Sequence, residues 1–196
     1  MRRRSFNLAG HAHFLTFSCY RRSQILVDVS ARALLAQSLD AARQRLGFGL
    51  WAYVFMPDHV HLLLMPYEDH YSMAVILKQV KGPFAKQLVA DWKANHEDRL
   101  RRLQAEGPVG PVIRVWQRGG GFDRNLYSHE RICRAVEYIE SNPVRKGLVA
   151  DPADWVWSSA QARAGVADVP IRVDPICWEE RREIRRSEQM EVPDCR

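Results

Sequence analysis

The sequence predicts a single α/β domain, and three observations carry that expectation. Segments of two-residue periodicity at 11–20, 50–55 and 59–65 alternate with segments of helical periodicity at 28–46 and 71–92. At 196 residues the chain can bury one good core. No polar linker divides it, so residues 1–162 read as one domain with a short basic N-terminal arm, and 163–196 as a C-terminal extension.

Taken in order, residues 11–20 form the first expected strand, with Phe14, Thr16 and Ser18 on one face and His13, Leu15, Phe17 and Cys19 on the other. Arg21 and Arg22 close it, where they either meet a phosphate or form a solvated turn. Asp28 is placed to cap a helix that carries Ala31, Leu35, Leu39 and Ala42 inward and stops at Gly47. A strand over 50–55 follows, with Trp51, Tyr53 and Phe55 sharing one parity, and Pro57-Asp58 turns the chain into the next strand. Helical spacing returns through Met73, Ile76, Val80, Phe84, Leu88 and Trp92, with Lys78, Lys81, Lys86 and Lys93 on the flank away from that stripe. Gly82-Pro83 predicts a kink or two abutting helices. The charged stretch 94–111, ending in Gly107-Pro108-Val109-Gly110-Pro111, reads as a mobile loop before a short strand at 112–116. Three glycines at 119–121 permit unusual backbone shapes and close approach by a nucleic-acid backbone, but have neither Walker nor dinucleotide-loop spacing. Ser128 then caps a helix to about residue 141. Trp155 and Trp157 either stack on bases or finish the core, and the tail from 170 is either a wrapped arm or disorder.

A formal charge of +6 favours a polyanionic partner such as nucleic acid. The four scattered cysteines, Cys19, Cys133, Cys177 and Cys195, form no Cys-x-x-Cys pair and suggest neither a zinc knuckle nor a disulfide framework. No apolar run is long enough to span a membrane and no signal-peptide core is present, so the expected location is cytoplasmic.

Two places carry candidate chemistry. His59 and His61 alternate with Val60 on a strand, so both imidazoles share one face and could supply two nitrogen ligands to a divalent metal; the alternative is a hydrogen-bonded pair at the core edge. On the late helix, Ile132, Val136 and Ile139 define the buried stripe, while Tyr138 and Asn142 lie one turn apart on its flank beside Arg131 and Arg134. A phenol, an amide oxygen and cations could serve as nucleophile, third ligand and phosphate contacts. The alternative is an edge tyrosine and a helix-capping asparagine before Pro143.

Residues 53–63, Tyr-Val-Phe-Met-Pro-Asp-His-Val-His-Leu-Leu, recur with Leu77-Lys78, Lys81-Gly82, Val115-Trp116-Gln117-Arg118, Phe122-Asp123-Arg124, the run from Tyr138 through Asn142-Pro143 to Val149, and Trp155-Val156-Trp157-Ser158-Ser159. Together, over about 10–162, they resemble the Y1 (HUH) transposases of the IS200-like type, and most closely the REP-associated tyrosine transposases. The resemblance implies a ferredoxin-like α+β core with an antiparallel sheet, the histidine motif on a central strand and a nucleophilic tyrosine on a late helix. It implies a single-stranded DNA endonuclease and strand transferase acting on hairpin or repeat DNA through a 5'-phosphotyrosine. Tyr138 is then the nucleophile, with His59, His61 and Asn142 holding Mg2+ or Mn2+, though two nitrogens would also accept zinc. Arg21, Arg22, Lys78, Lys81, Lys86, Arg118, Arg124, Arg131 and Arg134 are the expected DNA contacts, in a monomer or a homodimer. A noncatalytic hairpin-DNA-binding descendant is the rival reading. The sequence departs from the family pattern in the triple glycine before Phe122, in Tyr127 at a position often charged, and in the tail beyond Ala162.

Overall fold

The computed structural model describes residues 7–119 and 121–177. In chain order it contains β1 (Ala12–Ser18), α1 (Val29–Leu46), β2 (Phe48–Phe55), β3 (His59–Pro66), α2 (Met73–Asn95), α3 (Glu97–Arg101), β4 (Gln104–Gly107), β5 (Gly110–Ile113), β6 (Phe122–Leu126), α4 (His129–Glu140), α5 (Asn142–Arg145) and α6 (Ala160–Arg163). β2, β3, β1 and β6 lie side by side in that order, every neighbour antiparallel, while β4 and β5 make a separate hairpin. The path β1-α1-β2-β3-α2-β6 over this sheet is the ferredoxin-like arrangement expected from the sequence.

Both faces of the sheet are covered, which is why β2 and β3 are buried throughout. On one face, α1 and α2 pack Leu35, Leu39, Val80 and Phe84 against Leu15, Phe17, Leu62 and Leu64. On the other, α4 sets Ile132, Ala135 and Ile139 against Ala12, Val54, Leu63 and Met65. Each fully buried isoleucine contributes about 1.5–3 kcal/mol, enough to fix the rotation of α4 over the strand that carries the histidines.

Local signals account for the element ends. The Asp28 carboxylate accepts from Ser30 N–H at the start of α1, and Gly47 ends the helix at φ 62. Ser72 and Ser128 cap α2 and α4 in the same way, accepting from Val75 and Arg131 N–H. The outer edge of β2 is closed by later chain: Phe55 N–H donates to Trp157 O, Ser159 N–H to Tyr53 O and Asp174 N–H to Leu50 O. Trp157 stacks on Phe55 and Trp155 donates its indole N–H to Phe55 O, so the packing role expected as one option is what both tryptophans perform here.

Three sequence expectations change. A bulge between Leu50 and Ala52 shifts the parity of β2, so Trp51 faces α4 while Tyr53 and Phe55 face α1 and α2. α2 runs as one helix through Gly82-Pro83, because a proline's lost hydrogen bond is tolerated where Val80, Phe84 and Leu88 on either side are locked into the core. The stretch expected to be a mobile loop contains α3 and the β4–β5 hairpin, whose Gly107 and Gly110 flank the Pro108-Val109 turn. At Gly121 the protein's own backbone comes close. A Cβ on Gly121 would sit 2.1 Å from Thr16 O, at a φ of 79. Gly121→Ala should therefore destabilise the fold by more than about 1 kcal/mol, read as a lower melting temperature at about 2–4 °C per kcal/mol; an unchanged melting point would contradict this account. The basic N-terminal arm and the tail from 178 onward fall outside the described residues.

Candidate functional site

His59 and His61 stand at the start of β3, just after the Met56-Pro57-Asp58 turn, which is closed by Met56 N–H donating to His59 O. As the alternation requires, both point to the α4 face and are about 95 % buried, while Val60 and Leu62 enter the opposite core. Their Nε2 atoms lie 3.1 Å apart. Each Nδ1 is engaged from behind: that of His59 by the Asp58 carboxylate at 2.6 Å, that of His61 by Thr16 Oγ1 at 2.7 Å. Thr16 is the residue directly opposite His61 in the β1–β3 register.

These second contacts decide what the inward nitrogens can do. A carboxylate only accepts, so His59 Nδ1 carries the proton and, in the neutral ring, Nε2 presents a lone pair. Burial pushes the His61 pKa down to about 3, with His59 adding to the depression. Burial also lowers that of His59, against the opposite pull of Asp58. Where the Thr16 hydroxyl accepts from His61 Nδ1–H, the two neutral imidazoles turn electron pairs towards each other, an arrangement relieved by a shared electrophile. Two nitrogens bound at roughly 2.1 Å to one ion, near a right angle, are roughly 3 Å apart.

Asn142, 4 % exposed, begins α5 rather than capping α4. Its Nδ2 lies 3.2 Å from His61 Nε2, while its Oδ1 is buried without a partner. The two ends of an amide are alike in shape, and a half-turn brings the oxygen to the histidine side. Among the described residues no group of three His, Cys, Asp or Glu side chains forms a metal cluster. The donor set that fits a divalent ion here is thus two imidazoles plus this orphaned amide oxygen, with water or substrate filling the rest.

Tyr138 projects from α4 over the same place, with its ring centroid 5.6 Å from that of His61, edge to face, and 5.8 Å from that of Phe14. It is 38 % exposed, so its phenol is accessible to a polymer arriving from solvent. The Arg145 guanidinium lies 4.8 Å from its ring centroid. Arg22 bonds Asp58 at 2.9 Å, and Arg22 and Lys146 both add to the depression of the His59 pKa, so positive charge surrounds the pair.

The expected DNA-contacting residues divide. Arg22 reaches the site through Asp58, and exposed Arg124 lies opposite Phe14 on the histidine face of the sheet. Arg131 and Arg134 follow the Tyr138 side of α4, the first over Tyr127 and the second paired with Glu130 at 2.5 Å. Arg21 and Arg118 are exposed beside the end of β1. Lys78 and Lys86 are exposed on α2, whose core side packs on the sheet face opposite the histidines. Lys81 departs from its expected flank: half-buried, it lies 5.3 Å from the Phe17 ring centroid, with its pKa lowered by burial.

Comparison with known proteins bears on residues 7–103, which match the family model described as "Transposase IS200 like". Over those residues the chain is similar to the IS200-like transposases. The matched part of the chain includes the histidine strand and stops before Tyr138 and Asn142. A Haemophilus influenzae protein carrying the name REP-associated tyrosine transposase is 27 % identical over 128 residues, 65 % of this chain and 64 % of that relative, so the chain spans just under two thirds of the relative's length. A solved REP-associated tyrosine transposase bound to a REP hairpin shares the fold at a TM-score of 0.64, with 20 % identity over 89 % of this chain and 92 % of that one.

Several residues around the site went unselected in the sequence. Asp58 was visible as the neighbour of His59, and Arg145 follows Tyr138 by seven residues, two helical turns, so both were within reach of spacing arguments. Thr16 and Phe14 were not, because their place depends on the register between β1 and β3.

Proposed function

We propose that this chain is a metal-dependent single-stranded DNA endonuclease and strand transferase, acting on hairpin or repeat DNA through a 5'-phosphotyrosine at Tyr138. The observation that carries the reading is the convergence within one chain of two inward imidazole nitrogens 3.1 Å apart, the partnerless Asn142 oxygen and the Tyr138 ring. A magnesium or manganese ion held by His59, His61 and Asn142 would polarise the scissile phosphate and offset charge on the leaving oxygen.

The chain's own groups account for the rest. The Tyr138 oxygen attacks phosphorus and the bond to the 3'-oxygen breaks; the phenolic proton passes to solvent and the departing oxygen leaves as a 3'-hydroxyl. A neutral phenol is a weak nucleophile, and the Arg145 guanidinium beside the ring favours the phenolate that forms during attack. The adduct keeps the energy of the phosphodiester, so a second 3'-hydroxyl can displace the tyrosine and join strands without ATP. A noncatalytic hairpin-binding protein would have no use for this convergence of buried donors with an exposed phenol.

The test is adduct formation. Wild-type protein, given manganese and a hairpin oligonucleotide labelled 3' of the scissile bond, should retain the label under denaturing conditions, and peptide mapping should locate the nucleotide on Tyr138. Label on another residue, with cutting intact, would overturn the assignment of the nucleophile.

Substrate form follows from the same geometry. Tyr138 stands on an open face beside Phe14 and Arg124, where a flexible strand can bring a phosphate in-line. Hairpin DNA with single-stranded flanks should therefore be bound more tightly and cut faster than blunt duplex of equal length and salt, as read by competition titration across a hairpin library. Preference for plain duplex would refute this.

A further inference from the structure

The turn that follows β1 is held in an unusual shape. Arg21 and Arg22 both take left-handed backbone angles, φ 52 and 55, which L residues with side chains rarely adopt. Several bonds lock them there: Arg22 N–H donates to Cys19 O, Ser23 N–H to Tyr20 O, and Tyr20 N–H to Val115 O across the turn. The consequence is a division of labour between neighbouring arginines. Arg22 turns to Asp58, and so to His59, while the Arg21 guanidinium lies 5.0 Å from the Tyr20 ring centroid.

A second guanidinium, that of Arg114, lies 5.5 Å from the same ring. It comes from the segment directly after β5, and the two arginines line a groove of about 570 Å³ with Tyr20, Gln104 and Glu106. Neither Arg21 nor Arg114 has a carboxylate partner among the described residues, whereas Arg22, Arg43, Arg99, Arg101, Arg134 and Arg163 all do. A guanidinium beside an aromatic ring keeps N–H groups for bidentate phosphate binding, and Arg114 spends only one Nη2 contact on the Glu106 carbonyl at 3.4 Å. The hairpin side of the groove also lies beyond residues 7–103, and so beyond the stretch matched to the family.

We propose that the turn after β1 and the β4–β5 hairpin form a phosphate clamp, in which Arg21 and Arg114 grip the DNA backbone beside the His59–His61 site. The proposal rests on the DNA-processing reading above. It gives the chain a contact that holds DNA independently of the tyrosine, and Arg22 links that contact to the histidine pair through Asp58. The groove takes backbone rather than bases, since the Tyr20 ring is already occupied by guanidinium groups.

The test is the salt dependence of binding, measured without metal in the Tyr138→Phe background, so that affinity is read apart from cleavage. The probe is a fluorescent DNA hairpin with single-stranded flanks, titrated over a series of KCl concentrations. Each lost phosphate contact should reduce the slope of log affinity against log salt by about 0.7–0.9. Arg21→Ala with Arg114→Ala should therefore flatten it by roughly 1.4–1.8, while Arg21→Lys with Arg114→Lys restores much of the slope. Circular dichroism checks that both double variants fold. An unchanged slope in a folded alanine variant overturns the clamp, as does tighter capture of an acidic peptide than of DNA at matched charge. Failure of the catalytic reading has a different signature: wild type binds the hairpin with this slope and forms no covalent product.

Discussion

Tyr138→Phe should abolish the covalent protein–DNA adduct and lower strand cleavage by about 10⁴-fold or more, the scale seen when a covalent nucleophile is removed. The reason for choosing phenylalanine is structural. The ring of Tyr138 touches Phe14 and His61 edge to face and carries the Arg145 guanidinium, contacts that a phenyl ring keeps. Its hydroxyl has no partner among the described hydrogen bonds and the residue is 38 % exposed, so folding stability should move by less than about 0.5 kcal/mol. Loss of the adduct with an unchanged melting temperature thus isolates the chemistry. An undiminished adduct in Tyr138→Phe would remove Tyr138 from the reaction, whatever else the protein does to DNA.

What the sequence made legible follows from how local each feature is. Alternation along β3 was enough to put His59 and His61 on one face, because that pair lies within a single element, and helical spacing brought Tyr138 and Asn142 together because α5 opens directly after α4 ends. The convergence of the two elements was not local. It depends on α4 burying Ile132 and Ile139 against β2 and β3, and on β1 lying between β3 and β6. The misread parts have the same origin. One extra residue at Trp51 inverts a parity that alternation alone assumes, and core packing around Pro83 keeps α2 in one piece despite the lost hydrogen bond. The 104–113 hairpin is short and polar, and two glycines that signalled a loop serve its turn instead. Lys81 shows the limit of a helical wheel: a long side chain near the edge of the apolar stripe can fold back over Phe17 and Trp116, half-buried against aromatic rings.

The second large effect belongs to the histidines. His61→Ala, and separately His59→Ala, should each lower metal-dependent cleavage by about 10³-fold, equivalent to losing several kcal/mol of charge stabilisation in the transition state. Manganese binding, followed by its spectroscopic signal in the absence of DNA, should fall in parallel, because each substitution takes one of two nitrogens that face each other at 3.1 Å. Hairpin affinity should fall far less. Arg21, Arg114, Arg118, Arg124 and Arg131 lie outside the histidine pair and keep their charge when an imidazole is removed. The same logic separates ligand from support: Thr16→Val keeps both Nε2 atoms but removes the hydroxyl bonded to His61 Nδ1, and should weaken manganese binding by about 10–100-fold rather than abolish it. Both alanine variants must be shown to be folded, since each empties a buried position. Cleavage and manganese binding unaltered in folded His59→Ala and His61→Ala would mean that the inward nitrogens serve only the core edge, and that a cation, if the reaction uses one, is held elsewhere.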